Sequence, residues 1–343
     1  PLVITVALDN ATHGFLSSLG AFVNLGAGIY QLGVTNGGVT AATASQALRA
    51  LVFNPTTTNR VTPTSPETTR FTITVADGFA APVTDNNTTV VALHEFQTKV
   101  LATDGVAGDG LGSAVGASYN FVVAGAPFAD PSGSSSGAAY IFSHVSLTST
   151  QWTQFQKLLP SDGAAGNEFG NAVAISGNTI AVAAHLNRPT TQTSGAVYVF
   201  ERSTVGSNLW VQVKKVVPFD GVNGDDFGYS VSLDKDTLVV GARADDDNGT
   251  SSGTAFVYQR NQGGSNNWGF VKKLTASDAA AGDEFGFSVA IESDTIIVGA
   301  HFDVQGGVSS GSAYLFRRDQ GGTNNWGQFK KLVPPDGQGS DDF

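Results

Sequence analysis

Apolar and polar positions alternate in short runs along most of the chain. Residues 227–274 show the pattern. Phe227 to Leu233 alternates and stops at a polar turn, Asp234 to Thr237. Leu238-Val-Val-Gly-Ala242 is a short apolar run, followed by a polar loop from Asp245 to Ser252. Thr254 to Tyr258 is apolar again. A second loop, rich in Asn and Gly, then leads to Trp268 to Leu274. Period-two runs bounded by Gly, Asn, Asp and Ser predict strands joined by hairpins. The matching turn upstream, Ser176-Gly177-Asn178-Thr179, carries residues that accept the positive φ of hairpin turns.

The four-strand pattern repeats. The four tryptophans are Trp152, Trp210, Trp268 and Trp326, each 58 residues after the last. The same step links Lys99, Lys157, Lys215, Lys273 and Lys331, and also Asp104, Asp162, Asp220, Asp278 and Asp336. It links Gly112, Gly170, Gly228 and Gly286, and Phe343 falls in register with Phe285, Phe227 and Phe169. No insertion interrupts the array. Four antiparallel strands per unit, in tandem, predict an all-β chain built from β-propeller blades. A single blade cannot cover both of its faces, and stacking blades does so. Four complete units and the start of a fifth are expected over 94–343. A cut inside a fifth copy suggests a parent ring larger than this chain.

At these residues a family comes into view. Phe-Gly at the start of strand one and Gly-Ala-Pro at the end of strand two resemble FG-GAP repeats, as in integrin α-subunit propellers. The pairs are Phe169-Gly170, Phe227-Gly228 and Phe285-Gly286, with Leu111-Gly112 as a departure. The first copy has Gly125-Ala126-Pro127; later copies replace the proline by His185, Arg243 or His301. The resemblance covers 94–343 and implies the propeller fold. Integrin-like blades often carry a calcium loop between strands one and two. Here that connection has shrunk to Gly177-Asn178, Lys235-Asp236 or Ser293-Asp294. Two residues cannot wrap an ion that takes 6–8 oxygens, so the family's calcium site is not carried over.

Residues 1–93 lack the 58-residue register. Strand-like runs are Leu2 to Leu8, Ile29 to Val34, Arg70 to Val75 and Thr88 to Leu93. Thr43-x-x-Gln46 has the form of a capping box. Ala44, Ala47, Leu48 and Leu51 follow at helical spacing, so a short helix is expected at 43–52. Pro55 to Pro66 reads as a loop. The segment is expected to be a small β-sandwich with one crossover helix. Leu51 to Pro55 and Glu67 to Gly78 resemble cadherin-like modules of large bacterial surface proteins, which implies a string of domains.

Composition narrows the function. The net charge is −11, and charged residues are 14% of the chain against about 25% on average. An acidic balance argues against a nucleic-acid partner, because phosphate contacts need Lys and Arg. Cysteine is absent, which excludes disulfides, zinc–thiolate sites and a catalytic thiol. Methionine is also absent and the chain opens on Pro1, so we read it as a fragment of something longer. No apolar run reaches the 18 residues of a membrane span, so no membrane insertion is expected in this fragment.

The candidate chemistry is sparse. Gly133-Ser-Ser-Ser-Gly137 matches G-x-S-x-G, but a nucleophile elbow needs a strand, a turn and a helix, and here the segment joins two strands. The histidines, His13, His94, His144, His185 and His301, show no metal-pair spacing. A slot that holds Pro127, His185, Arg243 and His301 in turn reads as a tolerant surface position. The Asp-Gly-x-x-Gly-Asp-x-Phe-Gly loops are richer. Asp220, Asp225 and Asp226, with Asp278, Asp283 and Glu284, hold the most carboxylates, although the second copy has Asn167. Hard cations such as Ca²⁺ take such oxygens; equally, Asp caps turns by accepting backbone N–H groups. Asp245-Asp246-Asp247-Asn248 reads as a solvated loop. The tryptophans read as blade filler, with sugar platforms as the alternative, and the lysines as edge charges that block aggregation. These features point to a non-catalytic extracellular binding or adhesion module, with a protein or carbohydrate ligand on the propeller loops. The alternatives are an accessory propeller of a secreted hydrolase and a structural spacer in a surface fibre.

Overall fold

A computed structural model describes residues 2–11, 14–17, 19, 21–32, 40–55, 67–77, 81–92, 99–144, 152–188, 194–203, 208–305 and 307–337. The chain divides into two compact units, 1–98 and 99–343. His13, His94, most of the loop expected from Pro55 to Pro66, and Phe343 in its fifth-copy register lie outside the described residues.

In the first unit the strands are β1 (Val3–Leu8), β2 (Gly14–Ser17), β3 (Val23–Gly26), β4 (Ile29–Leu32), β5 (Val52–Pro55), β6 (Glu67–Ala76) and β7 (Val83–Ala92). They form a five-stranded sheet in the order β3-β4-β1-β6-β7 and a two-stranded sheet, β2-β5. Alternate residues of β1 (Ile4, Val6 and Leu8) point into a core with Leu16, Tyr30, Leu32 and Phe71. The Tyr30 hydroxyl accepts the Leu16 N–H at 2.9 Å and so ties one sheet to the other. The helix α1 runs over Ala41–Ala50, earlier than the expected 43–52. Thr40 rather than Thr43 is its N-cap, accepting the Thr43 N–H at 3.2 Å. Arg49 in the last turn suits the negative end of the helix dipole. No helix among the described residues is long and apolar enough to cross a membrane.

The second unit holds four sheets of four strands, each in sequence order. Blade one is β8 (Val115–Ser118), β9 (Phe121–Ala126), β10 (Ala138–His144) and β11 (Trp152–Leu158). Blade two is β12 (Val173–Ser176), β13 (Thr179–Ala184), β14 (Ala196–Arg202) and β15 (Trp210–Val216). Blade three is β16 (Phe227–Asp234), β17 (Thr237–Ala242), β18 (Thr254–Gln259) and β19 (Gly269–Leu274). In blade four, β20 (Phe285–Glu292) and β21 (Thr295–Ala300) precede a small hairpin, β22 (Val304–Gln305) and β23 (Val308–Ser309). The blade then closes with β24 (Ser312–Arg317) and β25 (Gly327–Leu332). Successive blades pack through their first strands, β12 on β8, β16 on β12 and β20 on β16.

Stacking explains the burial. One core joins Ala181, Ala183, Val197 and Val199 of blade two to Phe227, Leu238, Val240 and Phe256 of blade three. The next joins Val239, Ala255 and Val257 of blade three to Phe285, Ile296, Val298 and Tyr314 of blade four. Hence β13 and β17 are buried at every residue, whereas β21 buries alternate ones. The Phe of each Phe-Gly pair is fully buried. Phe169, Phe227 and Phe285 meet Tyr198, Phe256 and Tyr314 edge-on at 5.3–5.4 Å between centroids. The glycine sits where neighbouring blades touch. A Cβ on Gly125 would come within 1.9 Å of the Gly170 carbonyl oxygen, and one on Gly241 within 2.0 Å of that of Gly286.

The close approach predicts an asymmetry. Gly241→Ala drives a methyl into the backbone of the next blade, an overpacking cost of about 2–3 kcal/mol. At about 2–4 °C per kcal/mol for a unit of this size, melting should fall by roughly 5–10 °C. Ala183→Gly, at the equivalent position in blade two, should cost no more than about 1 kcal/mol. Thermal melting of the two variants checks this; equal effects would contradict the contact.

Candidate functional site

Each blade places a lysine of its last strand against the aspartate that opens the loop leading into the same blade. The pairs are Lys157–Asp104, Lys215–Asp162 and Lys331–Asp278 at 2.6 Å, and Lys273–Asp220 at 2.9 Å. Each ammonium also lies over a third-strand ring, Tyr140, Tyr198, Phe256 or Tyr314, at 5.0–5.4 Å from the centroid. The ring face supports the charge. Tyr198 donates to Asp162 at 2.7 Å, and Tyr314 to Asp278 and Asp303 at 3.0 and 2.9 Å. Phe256 has no hydroxyl, and in that blade Lys273 gathers Asp245 and Asp247 as well, at 2.9 and 2.5 Å. Lys331 reaches Asp303 at 2.6 Å.

These contacts revise two readings of the sequence. The lysines are not solvated edge charges; their side chains are only 14–24% exposed. Asp245 is buried rather than part of a solvated loop, although Asp246, Asp247 and Asn248 are exposed. The Lys157 ammonium holds the Asp104 carboxyl below the usual range. At Asp162 and Asp303 burial opposes ionisation, and the bonds from Lys215 or Lys331 and the tyrosines outweigh it, so these carboxyls also sit low.

The six carboxylates singled out for a cation take three different roles. Asp220 and Asp278 pair with lysine. Asp225 accepts the Val222 N–H at 2.7 Å and Asp283 the Ala280 N–H at 2.8 Å, each across its own turn. Asp109 does the same for Val106 at 2.9 Å. Asp226 and Glu284 turn away to bracket Arg243, at 3.1 and 2.9 Å. Among the described residues no group of three or more acidic or histidine side chains has the arrangement of a metal site. Trp210, Trp268 and Trp326 are buried filler. Gly133 to Gly137 lies between β9 and β10 with no helix after it.

The bracketed arginine belongs to a longer row. Glu168, Asp226 and Glu284 all have left-handed backbones, φ 54°, 59° and 52°, just before the Phe-Gly pairs. The residues after Gly-Ala or its equivalent, His185, Arg243 and His301, face them. Arg243 joins blade three to blade four; His185 lies 3.9 Å from Glu168 and His301 3.9 Å from Glu284. Rings fill the gaps. Arg243 stacks on Tyr229 at 4.2 Å, Tyr229 on Phe287 at 5.1 Å, and Phe287 on His301 at 3.8 Å. His185 and His301 are 16% and 14% exposed, so the slot is not a tolerant surface position. Burial pushes the His185 imidazole down, against Asp226 and Glu168 and with Arg243. A signal did exist in the sequence. Copies two to four have both the carboxylate and its partner, while the first copy has neither, with Gly110 and Pro127.

Blades of this geometry, with Phe-Gly in the core and Gly-Ala at the blade contact, match the pattern described as "FG-GAP repeat" at residues 95–142, 152–200, 210–258 and 268–316. The chain belongs to the FG-GAP repeat family. No curated protein matches it. Among solved structures, this chain is similar to parts of other proteins at low identity. Sqt1 from Chaetomium thermophilum is 12% identical with a TM-score of 0.37, over 61% of this chain and 44% of that one. A hypothetical selenium-binding protein from Sulfolobus tokodaii is 10% identical with a TM-score of 0.41, over 79% and 58%. A europium-containing methanol dehydrogenase is 9% identical with a TM-score of 0.29, over 46% and 23%. The matched region spans less than two thirds of each of these chains, and likenesses this low assign no role.

Within the FG-GAP loops, Asp225 is the group whose charge should be visible in stability. Burial pushes its carboxyl up to about 6, against the Val222 N–H and with the nearby Asp245. An unfolded chain releases that proton near pH 4. Between about pH 4 and 6 the folded state therefore holds more protons, and this group's contribution to stability falls as pH rises. Asp225→Asn keeps an acceptor for the turn. Relative to the parent it should gain about 1–2 kcal/mol on going from pH 4 to pH 7, read by melting at the two pH values.

Proposed function

We propose that this chain is a non-catalytic binding module of an extracellular or cell-surface protein, engaging a protein or carbohydrate partner through its propeller loops. The observation that carries this reading is the row from His185 through Tyr229, Arg243 and Phe287 to His301. His185, Arg243 and His301 alternate with the carboxylates Glu168, Asp226 and Glu284 from blade to blade, and two half-buried rings lie between them. Carboxylates flanking Arg243, with imidazoles and aromatic faces beside them, suit recognition of a polar partner, where complementary charges set orientation and exclude wrong surfaces. The row is held on first- and second-strand ends, so little order has to be gained on binding, which favours affinity. FG-GAP repeats are consistent with an extracellular setting.

The test is adhesion. Beads coated with the full chain are compared with beads carrying Arg243→Gln or Tyr229→Ala for retention on cultured cells, after melting confirms that both variants fold. The parent should adhere, and each variant should lose about tenfold in apparent affinity, equivalent to one well-placed contact. Parent beads that do not adhere, or variants that adhere as the parent does, would overturn the assignment.

A further inference from the structure

The opposite ends of the blades carry the two-residue turns between first and second strands. The turns are Tyr119-Asn120, Gly177-Asn178, Lys235-Asp236 and Ser293-Asp294. The first residue of each is left-handed, with φ 51°, 57°, 50° and 55°. Gly, Asn and Asp accept that backbone readily, and other residues incur a cost of about 1–2 kcal/mol. Tyr119 bears it while 90% exposed. Lys235 and Ser293 carry the same backbone in blades three and four, so what sets Tyr119 apart is an exposed aromatic side chain at this turn position.

The second turn position shows a matching departure. In blade three Asp236 accepts from Arg260, and in blade four Asp294 accepts from Arg318, both at 2.6 Å. Blade two has Asn178 in that place. Its equivalent arginine, Arg202, lies 4.6 Å over the Phe121 ring and donates to the Asn208 carbonyl at 3.3 Å. No carboxylate among the described residues pairs with it. The exposed Lys235 ammonium likewise has no carboxylate partner among them.

These departures meet in one place. Tyr119, Arg202, Lys235 and Asn178 line a cleft of about 700 Å³ that runs across the turns of the first three blades. Its wall also holds two carboxylates, each already engaged: Glu201 is paired with Arg260, and Asp234 accepts the Ser293 N–H at 2.8 Å. Ser118 and Ser176 also line it, each hydroxyl oxygen fixed by a backbone N–H, from Gly177 and Lys235, at 3.0 Å. A cleft of similar size, 660 Å³, lies between blades three and four. There both arginines are paired with aspartate and no aromatic side chain lines the wall.

We propose that the cleft beside Tyr119 binds an anionic saccharide. An exposed ring offers an apolar face to the C–H face of a sugar, while hydroxyls and an amide suit ring hydroxyl groups. Arg202 and Lys235 stand on different blades and take negative groups spaced along a chain; carboxylate and sulfate are the two forms this chemistry fits. Two separated single charges match such a chain better than the clustered charge of a nucleotide. The site lies at the other end of the blades from the row through Arg243 and does not depend on it.

The experiment is calorimetric titration of the full chain at low salt with four probes. They are trigalacturonate, a heparin-derived hexasaccharide, maltohexaose and AMP. At least one anionic saccharide should bind, and maltohexaose should bind at least about tenfold more weakly, the loss expected when a charge-assisted contact goes unmade. Tyr119→Ser and Asn178→Asp should each weaken the anionic probe by about tenfold or more. Both variants should melt with the parent, because Ser293 and Asp294 occupy these turn positions in blade four. The proposal is overturned if neither anionic saccharide binds, if maltohexaose binds equally, if AMP is the probe bound, or if Tyr119→Ser and Asn178→Asp bind unchanged. Loss of cell adhesion by Arg243→Gln alone bears on the other end and leaves the cleft standing.

Discussion

A lysine ammonium held over an aromatic ring, with a carboxylate on its open side, recurs in every blade. It ties the last strand of a blade to the loop that leads into its first strand, and in blades three and four also to the loop between second and third strands. Half-exposed pairs such as Lys157–Asp104 contribute little alone, because solvent and salt screen them. Lys273 and Lys331 are different, since each also faces a buried carboxylate, Asp245 or Asp303. Removing either ammonium would strand a buried charge, at a cost of about 3–5 kcal/mol. The clamp therefore governs where the lead-in loop lies, and that loop carries most of what the family pattern consists of.

The nine residues Asp220 to Gly228 show how tightly roles are packed. Asp220 enters the clamp, Asp225 closes the turn, Asp226 takes up the left-handed backbone and meets Arg243, Phe227 fills the inter-blade core, and Gly228 stands at the blade contact. Adjacent carboxylates thus have unlike environments. Asp220 lies against an ammonium, Asp225 is buried with its proton held up to about 6, and Asp226 lies beside a guanidinium. A charge count over the loop suggests a cation cage; the geometry divides the same charges among the clamp, the turn and the row.

Much of the fold was legible because the chain states it four times. The 58-residue step and the strand runs lie where the pattern puts them, the Phe-Gly pairs open the first strand in blades three and four and precede it by three residues in blade two, and the cores between blades follow from stacking. The first unit has no such redundancy. β2 and β3 are four residues long, too short for alternation to stand out. At the helix start Thr40 and Thr43 are equally competent caps, and only the backbone chooses. The functional surfaces were less legible for another reason. Lys273 and Asp220 are far apart in sequence, so spacing within a loop could not reveal their contact. The pairing of Glu168 with His185 and of Glu284 with His301 was present in the copies, but as a correlation between two columns rather than within one. Tyr119 and Asn178 are departures from the repeat, and a reading that seeks what recurs passes over them.

The clamp is tested most directly by amide hydrogen exchange on Lys273→Met compared with the parent. Methionine keeps an apolar side chain against Phe256 and removes only the charge. The account predicts faster exchange in residues 220–228 and 245–252, the two loops the ammonium joins, with β17 and β18 as protected as before. Unchanged protection in both loops would contradict it, and so would uniform loss across blade three.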